Sequence, residues 1–93
     1  MYAKKTIIRN KTGLHARPAS EFVGCANRFL SDIVIRKLSE ENGSANAKSI
    51  IKLMLLGLGQ GEEVEINAEG EDETEAVDTL VALIDSGFDE ETD

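Results

Sequence analysis

His15 is the only histidine in the chain, and it sits in the run Thr12-Gly13-Leu14-His15-Ala16-Arg17-Pro18-Ala19-Ser20. An imidazole is partly neutral near pH 7, so one ring nitrogen can attack an electrophilic phosphorus while the other keeps its proton. In-line phosphoryl transfer depends on alignment and on neutralising the equatorial oxygens, so it needs a cradle more than it needs an added acid or base. The neighbours of His15 describe such a cradle. His15 falls where a helix N-cap should stand, a place usually taken by Ser, Thr, Asp or Asn. Arg17 puts a cation in a first turn whose backbone dipole is already positive. Each departure costs a few tenths to about 1 kcal/mol, and together they describe a site waiting for an anion. The backbone N–H groups of Ala16 and Arg17 would face phosphoryl oxygens on His15, and the guanidinium would add charge-assisted hydrogen bonds. Pro18 has no N–H to satisfy and a φ already helical. On spacing alone, a loop histidine beside a solvated arginine fits the same residues equally well.

Other chemistries find less support. His15 and Cys25 lie in different segments and make no zinc constellation, so neither a metal nor a cofactor is expected. A serine hydrolase needs a nucleophile elbow and an orienting acid, and no such pattern surrounds His15. Gly57, Gly59 and Gly61 flank a turn before a strand and do not lead into Lys-Ser, which argues against a phosphate-binding loop. Ser49 reads first as the cap of a short helix. A phosphate there would be tolerated by the helix N-terminus while adding up to about two negative charges.

These residues must be positioned by the rest of the chain. Residues 4–10, with Thr6, Ile7 and Ile8 among polar neighbours, read as a first strand closed by the turn-forming Asn10-Lys11-Thr12-Gly13. Ala19, Phe22, Val23, Ala26 and then Phe29 or Leu30 recur at three- and four-residue steps, which predicts a helix over 16–28. Asp32 to Arg36 is a β-branched run, and Asn42-Gly43 signals a hairpin turn into a short strand, Ser44 to Ala47. Ile50 to Leu56 is apolar enough to predict a short helix with part of its greasy surface exposed. Glu63 to Glu69 alternates polar and apolar as a strand with one wet face does. Asp72 with Glu75 resembles a capping box, and Ala76, Val77, Leu80, Leu83 and Ile84 give the stripe of a final helix that Gly87 ends. The order β-α-β-β-α-β-α predicts an α+β fold, an antiparallel sheet with helices on one face.

The 93 residues suit one domain, 1–93, with a modest core. A single cysteine allows no internal disulfide, and the opening Met1 to Lys5 leads into alternating residues, so a cytosolic protein is expected. The net charge of −8 argues against nucleic acid and against insertion into an anionic membrane. All ten Lys and Arg lie between Lys4 and Lys52, whereas fourteen of the eighteen acids follow Gly61. Such asymmetry can steer an acidic partner or a phosphorylated group to one face, although charge that only keeps the domain soluble fits equally.

Gly13-Leu14-His15-Ala16-Arg17-Pro18-Ala19 resembles the active-centre sequence of the HPr-type phosphocarriers of the bacterial phosphoenolpyruvate-dependent sugar phosphotransferase system. Asn46 to Leu53 resembles the regulatory-serine segment of that family, and Gly57 to Gly61 and Ala68 to Glu73 resemble the stretches that follow, so the likeness spans essentially the whole chain. The resemblance implies an open-faced sandwich whose four antiparallel strands run in the order 1-4-2-3 beneath three helices. It implies that His15 takes a phosphoryl group on Nδ1 from phosphorylated enzyme I and passes it to the A component of a sugar-specific enzyme II, with Arg17 assisting. Ile50, Ile51 and Leu53 would belong to the docking surface, and Ser49 matches the position that an HPr kinase modifies in some bacteria. Nothing in the sequence demands more than a monomer, and such a carrier completes no catalytic cycle alone. Two alternatives stand beside it. The loop Lys37 to Gly43 is longer than in many sugar-type members, and the tail Leu83 to Glu91 looks like the nitrogen-related branch. A pure binding module would dock through Ile50, Ile51 and Leu53 without any covalent intermediate.

Overall fold

The computed structural model describes residues 1–90, so Glu91 of the tail noted above lies outside the described residues. The elements follow as β1 (Tyr2–Ile7), α1 (Ala16–Ala26), β2 (Asp32–Lys37), β3 (Ser44–Asn46), α2 (Ile50–Leu55), β4 (Glu63–Glu69) and α3 (Glu73–Asp85), with a 3₁₀ turn at Gly87–Asp89. All pairings are antiparallel, in the order β1-β4-β2-β3. β4 sits inside the sheet for a reason visible in its residues. Val64, Ile66 and Ala68 alternate with Glu63, Glu65 and Glu69, so the strand buries one side completely and can still pair along both edges. Tyr2 faces Ala68 and Ile7 faces Glu63 on one edge, while Ile33 faces Ala68 and Ile35 faces Ile66 on the other. Onto the apolar side pack Ala19, Phe22 and Ala26 of α1 and Ala76, Val77, Leu80 and Ile84 of α3. This is the α+β open-faced sandwich that the element order implies. No helix among the described residues is long and apolar enough to cross a membrane.

A polar seam ties the edge strand β1 to α3. Tyr2 Oη donates to Asp78 at 2.9 Å, Lys4 Nζ stands 2.8 Å from the same carboxylate, and the Thr6 hydroxyl donates to Asp85. Arg9 Nε adds a longer contact to Asp85, at 3.6 Å. The hydrogen bond between Lys4 and Asp78 pulls the ammonium above its ordinary pKa and holds the carboxyl below the usual range. The opposite charges of the two chain halves thus meet across this seam.

Three local expectations are corrected. The first helix ends at Ala26 and not at residue 28, because the Asn27 side chain folds back onto the Val23 carbonyl at 2.9 Å while Arg28 and Phe29 close tighter turns on Cys25 and Ala26. Asn42-Gly43 does not form a two-residue hairpin. Lys37 N–H reaches the Gly43 carbonyl at 2.7 Å across a longer loop built from successive turns, in which neither Asn42 nor Gly43 takes a positive φ. Asp72 is the N-cap residue of α3 but makes no capping bond. Its carboxylate accepts instead from Leu30 N at 2.8 Å, from Ser31 N at 3.0 Å and from the Ser31 hydroxyl, which clamps the α1–β2 loop. That clamp, led by the Ser31 hydroxyl, holds the Asp72 carboxyl below its ordinary pKa. Glu73, not Glu75, reaches back to the Gly70 N–H, at 3.1 Å.

Candidate functional site

His15 is the N-cap residue of α1, in extended backbone (φ −132°, ψ 158°), and its side chain makes no capping hydrogen bond. The first turn holds no acid either. Its N–H groups, which by geometry have no acceptor within the helix, therefore keep their capacity for an external anion. His15 is half-buried, so it remains reachable from solvent. Ala16, directly after it, has φ 52°, the left-handed region that costs a residue with a β-carbon about 1–2 kcal/mol. Strain of that kind persists only where the surroundings fix the backbone on both sides.

The segment before His15 supplies the fixing. Leu14 is fully buried, and its N–H donates to the Leu58 carbonyl at 2.9 Å. Gly13 takes φ +69°, and a β-carbon there would stand 2.3 Å from Leu58 O and 2.8 Å from Gly59 Cα. Only glycine fits that contact. Asn10, also fully buried, donates from Nδ2 to the Gly13 carbonyl at 2.9 Å and to Thr12 Oγ1 at 3.2 Å. Gln60 Nε2 holds the Arg9 carbonyl at 2.9 Å. The glycine-punctuated stretch 57–61 is thus the seat of the His15 loop.

Arg17 occupies the same end of α1. Its Nη1 donates to Glu21, one helical turn on, and its Nη2 reaches the Phe88 carbonyl at 3.4 Å. The tail is folded onto this corner: Phe88 is buried with φ 55°, Asp89 has φ 60°, and the Glu90 carboxylate accepts from the Thr12 hydroxyl at 2.6 Å. The Thr12 hydroxyl, more than any other neighbour, holds the Glu90 carboxyl below its ordinary pKa, with smaller contributions from Asn10 and the Arg17 charge. Sequence reasoning missed Glu21, Phe88 and Glu90. The Arg17-to-Glu21 spacing of four was a readable signal, whereas the tail contact had none.

The other candidate residues lie along α2. Asn27 Nδ2 touches the Lys48 carbonyl at 3.4 Å at one end, and Leu14 bonds to Leu58 at the other, so α2 runs antiparallel to α1. Ser49 is therefore separated from His15 by about the length of α1, roughly 16 Å for 11 residues. Its Oγ accepts from Lys52 N at 3.3 Å, which makes it the helix cap. Between the two ends α2 exposes Ile51 (71%), Leu55 (80%), Met54 (42%) and Ile50 (36%). Leu53 is 0% exposed and is corrected from docking residue to core residue. A helix of six residues laid on a core must turn one residue per turn inward, and here that residue is Leu53. Burial pushes the Cys25 thiol up, away from reactivity.

Residues 2–86 match the family model described as the PTS HPr component phosphorylation site. The chain belongs to the HPr family of phosphocarriers. It is 40% identical over 88 residues to the phosphocarrier protein NPr of Proteus mirabilis, covering 95% of this chain and 96% of that one. The HPr-like protein Crh of Bacillus subtilis is 48% identical over 84 residues, with 90% and 95% of the two chains covered. Among solved structures, HPr-C-His from Thermoanaerobacter tengcongensis superposes with a TM-score of 0.91 at 49% identity, over 98% of this chain and 99% of that one. The HPr match includes His15, Arg17, Glu21 and the seat at Leu58, but it stops before Phe88 and Glu90.

Proposed function

We propose that this HPr-family chain carries a phosphoryl group on His15 between two other proteins. The observation behind this reading is the bare imidazole at the N-cap of α1, above first-turn amides that no side chain caps. In the transfer, the lone pair of the neutral ring nitrogen, Nδ1 by analogy with the family, forms a bond to phosphorus. The bond from phosphorus to the donor atom breaks with its electron pair returning to the donor, and the other ring nitrogen keeps its proton throughout. The amides of Ala16 and Arg17 and the Arg17 guanidinium spread the charge of the phosphoryl oxygens. Phosphorylated enzyme I is the donor and the A component of a sugar-specific enzyme II the acceptor, both docking on the exposed Ile50 and Ile51 of α2, in the cytoplasm, with one carrier chain sufficing. An HPr kinase acting on Ser49 would add negative charge at the far end of that same surface.

The test is incubation with phosphoenolpyruvate and enzyme I. An acid-labile adduct that His15→Ala abolishes is expected, and an adduct that survives this change, or no adduct at all, sinks the reading. A second reading, a regulatory carrier of the nitrogen-related branch, is favoured by the likeness to the Proteus mirabilis NPr. Faster transfer from a nitrogen-type than from a sugar-type enzyme I would select it.

A further inference from the structure

We propose that Glu21 is a resident counter-anion that sets how tightly the site holds a phosphoryl group on His15, acting through Arg17; this rests on the carrier reading above. Glu21 is the only acid in α1. It stands one turn after Arg17, on the side of the helix away from the buried stripe of Ala19, Phe22 and Ala26. Arg17 Nη1 donates to its carboxylate and Nη2 to the Phe88 carbonyl, so both outer nitrogens of the guanidinium already have oxygen acceptors in the unphosphorylated protein.

A phosphoryl group arriving on His15 competes for the same guanidinium. If Arg17 turns to the phosphoryl oxygens, it must give up its ion pair with Glu21. If Arg17 stays, the phosphoryl loses its charge-assisted hydrogen bonds. Either way the phosphorylated state is less favourable than it would be with a neutral side chain at position 21, and the carrier gives up its cargo more readily. The Glu90 carboxylate on Thr12 is a second negative group near this corner, and it feels the Arg17 charge. The pair contributes little to the fold, since 60% of the Arg17 and 35% of the Glu21 side chain stay exposed to solvent. Its effect falls on the site. Glu21 is thus a positioning residue: it does not touch the reacting atoms.

The experiment measures phosphoryl partition directly. Equal amounts of unlabelled wild type and ¹⁵N-labelled Glu21→Gln are equilibrated with catalytic enzyme I and less phosphoenolpyruvate than carrier. Native mass spectrometry at neutral pH then reads the phosphohistidine on each chain. Glu21→Gln should hold about 1.5- to fivefold more than wild type, the range that exposed ion pairs span. Glu75→Gln, a remote exposed acid on α3, should give an even partition, which separates the pair from net charge. Placed on an Arg17→Gln background, Glu21→Gln should give an even partition too, because the coupling runs through the guanidinium. An even split between wild type and Glu21→Gln, or an excess that persists without Arg17, overturns the proposal while leaving His15 as carrier. A wild type that takes no phosphoryl group defeats the carrier reading and this proposal with it.

Discussion

Two glycine substitutions eleven residues apart should move stability in opposite directions. Gly13→Ala puts a β-carbon 2.3 Å from Leu58 O and 2.8 Å from Gly59 Cα, at a backbone φ of +69°. Bringing the first contact back to ordinary separation takes a shift of roughly 1 Å in backbone that has no flexible side chain to yield. The left-handed conformation costs alanine about 1–2 kcal/mol and the forced contact about 1–3 kcal/mol, so a loss of about 2–5 kcal/mol is expected. Gly24→Ala meets nothing within 4 Å inside α1 and should gain about 0.5–1 kcal/mol by restricting the unfolded chain. Urea denaturation at pH 7, with the slope compared across variants, measures both. Phosphoryl acceptance should fall in Gly13→Ala even when folded, because the Leu14-to-Leu58 hydrogen bond that sets His15 must yield. A Gly13→Ala protein within about 0.5 kcal/mol of wild type would refute the seat described for the His15 loop.

Leu53→Ala should cost about 2–5 kcal/mol in the same assay, whereas Ile51→Ser should stay within about 0.5 kcal/mol and weaken only partner binding. Ala16→Gly should stabilise by up to about 1 kcal/mol, because the left-handed position no longer carries a β-carbon; a loss would show that the strain has been misassigned. Asp72→Asn should lower stability at neutral pH and flatten its acid limb. The folded Asp72 carboxyl titrates below the unfolded one, so the clamp on Leu30 and Ser31 contributes fully above the unfolded value near 4 and is lost as pH falls through the folded one. Parallel stability curves for the two proteins between pH 6 and pH 2, measured by urea denaturation, would contradict that assignment.

Some of this was legible from residue order because one signal dominated locally. β4 was legible to its ends from strict alternation, and the start and buried face of α1 from its stripe, since each pattern admits a single buried face. Leu53 was misread because every position from Ile50 to Leu56 but one is apolar, and such a run does not say which side meets the core. Asp72 failed as a capping-box residue because its best partners, Leu30 and Ser31, come from far along the chain, where no spacing rule reaches. The strained Ala16 left no trace, since alanine is also the commonest of helix formers. The corner around Arg17 was seen in half: the helix supplied His15 and Arg17, while Phe88 and Glu90 arrive by tertiary folding of a turn that periodicity does not mark.

The dependence of that corner on distant residues orders events during synthesis. β1 is made first but has no partner strand until β4 emerges, and the loop before α1 has nothing to rest on until Leu58 is out. The last contacts, from Phe88 and Glu90, come from the closing residues of the described chain. At about 5–20 residues per second, the nascent protein spends seconds as a helix with an unset histidine at its end. On the proposed carrier function, ribosome-bound intermediates should therefore accept a phosphoryl group poorly until these residues have emerged.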